Sequence, residues 1–229
     1  MISVLLAAPP ALAQRIHAEH VILLHGLART ERSLSTLENH LKAKGYKVLN
    51  VGYPSRHNPI EVLAETVISS GIERCRNNGA VRIHFITHSL GGILVRYYLA
   101  HHDIPELGRV VMLAPPNGGS EVVDKLGKCP PFRWLNGPAG DQLGTDRGSI
   151  PRTLGPVDFD LGVIAGDRSI NLFLSFLIPG RDDGKVSIEN TKVDGMSDFT
   201  VVHTSHPFIM KNRRAIDQAI VFLQKGRFD

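Results

Sequence analysis

Short apolar runs alternate with longer amphipathic stretches along most of this chain, and no other feature limits its fold as strongly. Val21 to Leu24 is a four-residue apolar run stopped at His25-Gly26, the length of a buried strand. Arg32 to Lys44 spaces Leu34, Leu37 and Leu41 as an amphipathic helix does and ends at Gly45. Tyr46 to Val51 returns to strand character. Pro59 opens a second helical stretch to Asn78, with Ile60, Leu63, Ala64, Val67 and Ile68 on one face and Gly79 beyond its end. Val81 to Ile86 then reads as strand, Leu90 to His101 as helix and Arg109 to Leu113 as strand. Strands and helices in turn, joined by short connections, predict an α/β fold with a mostly parallel central sheet and helices on both faces.

The regularity breaks between Pro115 and Pro156, a proline- and glycine-rich stretch around Phe132, Trp134 and Leu135. A segment of this length without a clear period reads as a lid-like insertion or binding loop. Order resumes with a strand over Phe159 to Ala165, a turn at Arg181-Asp-Asp-Gly184, a strand over Phe199 to His203 and a closing helix over Phe208 to Gln224. One domain over residues 14–229 accounts for these elements.

Composition removes several classes of function. With 42% hydrophobic and 21% charged residues in 229, disorder, collagen and coiled coil are excluded. The uncharged runs Met1 to Gln14 and Ser169 to Gly180 fall short of the roughly 18–20 apolar residues of a membrane-spanning helix. The balance of 26 basic and 22 acidic residues is scattered, which argues against nucleic acid as a partner. Cys75 and Cys129 lack the spacing of a zinc site, so no metal is expected. Residues 1–13 run apolar into Ala11-Leu-Ala13, an A-x-A pattern without a basic n-region, and read as a signal peptide. Export would make the protein periplasmic or secreted and would permit a Cys75–Cys129 disulfide; without it the chain is cytoplasmic.

Chemistry concentrates at Ile86-Thr-His-Ser-Leu-Gly-Gly-Ile93, where a predicted strand turns directly into a predicted helix. A serine at such a turn projects its hydroxyl from the sheet's carboxyl edge, and the small residues Gly91 and Gly92 let the backbones pass closely. Thr87-His-Ser-Leu-Gly91 resembles the nucleophile elbow of the alpha/beta hydrolase superfamily, bacterial lipases and esterases in particular, with Thr87 in place of the usual first glycine. Leu24-His-Gly-Leu27 resembles the H-G-x segment of those enzymes. The resemblance implies Ser89 as nucleophile and the Leu27 and Leu90 backbone N–H groups as the oxyanion hole. His25 reads as a structural histidine bracing its loop.

The order of triad members in that fold, Ser then Asp then His, directs the search for the other two. His206, in the loop before the closing helix, is the favoured base, with His203 as its alternative. Pro179-Gly-Arg-Asp-Asp-Gly-Lys-Val186 resembles the N-D-G-x-V segment that carries the acid in bacterial lipases, which points to Asp183. Asp182 and Asp167 are the alternatives. Leu113-Ala-Pro-Pro-Asn-Gly-Gly-Ser120 is similar to the small-residue turn where the lipase acyl pocket begins. The implied activity is hydrolysis of small-molecule or lipid carboxylic esters without a cofactor, with transient contact to a lipid surface through the 115–156 insertion. Acyl transfer or thioester cleavage with the same triad is the alternative, and a non-catalytic binding protein on the same scaffold is the third reading.

Overall fold

A computed structural model describes residues 18–229; the leader-like segment 1–13 lies outside the described residues. Among these residues six strands form one parallel sheet: β1 (Glu19–Leu24), β2 (Lys47–Val51), β3 (Arg82–His88), β4 (Leu107–Leu113), β5 (Leu161–Gly166) and β6 (Asp198–Val202), in the order β2-β1-β3-β4-β5-β6. The predicted strands are all present. β3 runs two residues further than its apolar run, through Thr87 and His88, because the elbow and not a polar residue ends it.

Alternate residues of the central strands supply two cores. Ile22, Leu24, Phe85, Val110 and Val163 face one side, beneath α2 (residues 60–77) and α3 (Leu90–Leu99). The α2 stretch comprises Ile60–Leu63, a π-helical turn at Ala64–Ile68 and Ser69–Asn77. Val21, Leu23, Ile86, Val111 and Ile164 face the other, beneath α1 (Ser35–Ala43) and the closing helix α9 (Arg213–Lys225). A sheet covered on both faces explains why its strands read as continuous apolar runs instead of alternating ones.

The long middle segment, 115–156, has regular structure that its sequence does not announce. It folds into three short helices, α4 (Glu121–Leu126), α5 (Pro130–Asp141) and α6 (Ile150–Thr153). Gly137 (φ 66°) and Pro138 kink α5 and hide its helical period in the sequence. After β5, α7 (Leu172–Phe176) and α8 (Ile188–Thr191) precede β6. The closing helix begins at Arg213, with Asn212 as its cap accepting from Ala215 N–H at 3.1 Å, and the earlier residues Ile209–Lys211 form a 3-10 turn. Cys75 is buried under the sheet, Cys129 is exposed, and both are free thiols, so the disulfide that export would allow is not formed.

The strand order reverses direction at β1. The chain goes from β1 to β2 on one side and then crosses to β3 on the other, which opens a crevice at the carboxyl ends of β1 and β3. The loops leaving those two strands are His25-Gly26-Leu27 and Ser89-Leu90.

Candidate active site

Ser89 stands between β3 and α3 with φ 51° and ψ −120°, a conformation L-residues seldom adopt. Such a residue costs on the order of 1–3 kcal/mol and persists only where its surroundings hold it. Here Ser89 N–H donates to Leu113 C=O at 2.9 Å, and Ser89 C=O accepts from Gly92 N–H at 2.9 Å. Close approach makes two glycines necessary. A Cβ on Gly91 would lie 2.7 Å from Leu24 O and 3.0 Å from His25 O, and one on Gly26 would lie 2.7 Å from His88 Nδ1 and 3.2 Å from Ser89 Cβ.

Ser89 Oγ lies 3.1 Å from His206 Nε2, and His206 Nδ1 lies 2.8 Å from Asp183 Oδ2. The network assigns the tautomer: Nδ1–H donates to the carboxylate, leaving Nε2 to accept the serine proton. Asp183 is fully buried, and its second oxygen accepts from Lys185 N–H and Val186 N–H, both at 3.0 Å. His206 N–H donates to Asp183 C=O at 2.9 Å, so the loops carrying the two residues are tied together by backbone as well as side chain.

His88, next to the serine in sequence, has no role that the elbow motif assigns. Its Nε2–H donates to His206 C=O at 3.1 Å, and its ring packs 4.9 Å from the His206 ring. Burial, aided by the neighbouring His206, Arg29 and His25, holds its pKa well below the ordinary histidine value, so the ring is neutral. A histidine at the buried end of a strand was the available signal for such a partner.

Across the crevice, His25 braces the β1 loop. Its Nδ1–H donates to Gly26 C=O at 2.9 Å, Nε2 accepts from Tyr53 N–H at 3.3 Å, and the ring stacks on Tyr53 at 4.0 Å. Tyr53 OH also donates to His25 C=O. Ala28 N–H is taken by Ser55 Oγ and Arg29 N–H by Gly26 C=O. The N–H groups of Leu27 and Leu90 have no protein acceptor among the described residues.

The alternative acids and base group elsewhere. His203 follows the end of β6 instead of lying within it, is exposed, and its Nδ1 pairs with Asp167 Oδ1 at 2.9 Å. Asp167 is also bonded by Arg181. Asp182 accepts from Ser175 Oγ at 2.5 Å and from Gly184 N–H at 2.7 Å. His101 and His102 lie at the far end of α3, exposed.

Ser89 and His206 open into a cavity of about 400 Å³ walled by Leu27, Val122, Phe132, Leu135, Leu143 and Leu174. Two of the large apolar side chains that line it, Leu135 and Ile170, remain exposed to solvent. No cluster of three or more metal-ligating side chains occurs, and no helix is long and apolar enough to cross a membrane, among the described residues.

No protein-family model and no curated protein sequence matches this chain. Solved structures do. The mature form of a Bacillus licheniformis lipase matches at 17% identity and TM-score 0.70, over 89% of this chain and 91% of its own. Aspergillus fumigatus lipase B matches at 16% and 0.65, over 90% of this chain and 52% of its own. A Legionella pneumophila phospholipase matches at 22% and 0.61, over 76% and 45%. The chain thus spans about half the length of the last two. With the parallel sheet, its strand order and the strained serine between β3 and α3, these likenesses show that this chain has the alpha/beta hydrolase fold.

Proposed function

We propose that the protein is a serine hydrolase of carboxylic esters working through an acyl-enzyme. The observation that carries this reading is the continuous line from the strained Ser89 hydroxyl through His206 to buried Asp183. In the first half-reaction His206 Nε2 takes the Ser89 proton as Oγ attacks the ester carbonyl. The tetrahedral intermediate collapses, the C–O bond to the alcohol breaks, and His206 returns the proton to the departing alkoxide. Water then repeats the sequence on the acyl-enzyme, releasing the acid and restoring Ser89. Asp183 holds the imidazole in the required tautomer and stabilises the imidazolium. The uncommitted N–H groups of Leu27 and Leu90 serve the oxyanion, a role in which one donor is worth about a hundred- to thousandfold in rate.

Lipid-like esters fit the surroundings best. Most of the cavity wall is apolar, with exposed Leu135 and Ile170 in it, and α5 of the 115–156 insertion forms one side and so sets the room for the acyl chain. The test is hydrolysis of p-nitrophenyl esters of short and long acyl chains by wild type and Ser89→Ala, with a fluorophosphonate probe for covalent labelling. Loss of labelling together with a rate loss on the order of 10⁴-fold or more in Ser89→Ala is expected. A variant that keeps wild-type turnover would overturn the assignment.

A further inference from the structure

Two cations lie in the wall of the same cavity and are used by nothing else. Arg29 and Lys185 both line it, and neither side chain makes a salt bridge or hydrogen bond among the described residues. Residues 1–17 contain no Asp or Glu that could neutralise them. The carboxylate in the lining is Asp183, whose oxygens are already occupied by His206 and two backbone N–H groups. Both positions flank the reacting groups in the chain, Arg29 two residues after Leu27 and Lys185 two after Asp183. Lys185 is also half-buried. Desolvation lowers its affinity for a proton; Asp183 opposes that effect and the nearby Arg29 charge adds to it. A partly buried ammonium beside a second cation, with no counter-charge to spare, is stabilised by an incoming anion.

Resting on the ester-hydrolase reading above, we infer that the natural substrate is an anionic ester: an apolar acyl chain with a phosphate or carboxylate close to the scissile bond, received by Arg29 and Lys185. Leu27, Val122, Phe132, Leu135, Leu143 and Leu174 make the greater part of the remaining wall apolar, so the two ends of such an amphiphile meet matching surroundings.

Matched substrate pairs test this. The carboxylate arm compares 4-butyryloxybenzoate with its neutral methyl ester; the phosphate arm compares a 1-acylglycerol 3-phosphate with the monoacylglycerol of the same acyl chain. Wild type is expected to favour the anionic member of at least one pair by about tenfold in kcat/KM, equivalent to about 1.4 kcal/mol. The arm with the larger ratio identifies the anion, and the preference should shrink as salt is raised. Lys185→Gln and Arg29→Gln should each lower the ratio severalfold, and Lys185→Arg should retain most of it. Arg29 is exposed, so its variant remains informative if Lys185→Gln does not fold. Neutral esters hydrolysed without any anionic preference would overturn this inference alone, as would variants that slow both members of a pair alike. Failure of every ester, together with failure to label with fluorophosphonate, would overturn the hydrolase reading and this inference with it.

Discussion

Single residues at the elbow have unequal tolerances. The Cβ of Gly91→Ala would meet the backbone oxygens of Leu24, the last residue of β1, and of His25 directly after it, and backbone cannot turn aside as a flexible side chain does. We expect this variant to lose about 1–3 kcal/mol of stability and to displace Ser89, lowering activity as well. At Gly92 the nearest atom is Met112 Sδ at 3.0 Å, the flexible end of a side chain. Gly92→Ala should therefore melt with a free energy within about 1 kcal/mol of wild type, its added helix propensity offsetting the tighter contact. Two of the candidate aspartates, Asp183 and Asp167, are separable in the same way. Asp183→Asn should cost on the order of 10³–10⁴ in kcat through loss of the His206 tautomer. Asp167→Asn, which disturbs an exposed pair with His203, should leave kcat within about twofold. Equal losses from the two would refute the assignment of the acid.

Between elements, the long middle segment is secured by a cation buried behind the elbow helix. Arg96 of α3 donates from Nη1 to Asn117 O and Oδ1 at 3.0 and 3.2 Å and from Nη2 to Gly155 O at 2.7 Å. Asn117 stands where the segment begins and Gly155 where it returns, so one side chain clasps both ends. Among the described residues no carboxylate pairs with it, and burial brings its pKa down to about 10, so it is carbonyl dipoles that compensate the charge there. Arg96→Leu would strand these acceptors in the interior. A loss of about 2–4 kcal/mol in urea denaturation is expected, with activity falling because α5 walls the acyl cavity. An unchanged midpoint would show that the segment is held by other contacts.

For the molecule as a whole, pH dependence follows from histidines buried in neutral form. Desolvation lowers the pKa of His84 to about 4, helped by Arg82 and Arg109 and opposed by its bond from Arg109 N–H. Burial likewise lowers His25 and His88. In each case the unfolded chain, titrating near 6.5, binds a proton that the folded one refuses. Stability is then complete above about pH 6.5 and declines as pH falls toward the folded pKa, for His84 across about 6.5 to 4. The slope contributed by one such group approaches 1.4 kcal/mol per pH unit at most, on the order of the energy of one pKa unit. Urea midpoints measured down that range should fall, and His84→Gln should flatten the fall. A profile level from pH 7 to 4.5 would show that these rings are protonated in the folded state.

Much of this architecture was legible in the residues because burial on both faces of a parallel sheet writes itself as apolar runs, and α1 and α3 carry their spacing openly. The serine elbow was legible too, since only small residues pass where two backbones nearly touch. The boundaries of β3 and α9 shifted because a strained turn and an Asn cap end elements irrespective of hydropathy. The helices within 115–156 stayed hidden for want of a clear period. What the linear order left open was partnership: His206 or His203, Asp183 or Asp167 or Asp182. Each candidate has the right chemistry and a plausible place in the chain. Only the packed loops place His206 between Ser89 and Asp183 and leave His203 with Asp167. The same holds for His88, Arg29 and Lys185, whose surroundings come from residues distant in the chain. Local sequence determines the elements, because hydrophobic periodicity and turn sterics act over a few residues; the meeting of side chains from separate loops is decided by the sheet that brings those loops to one edge.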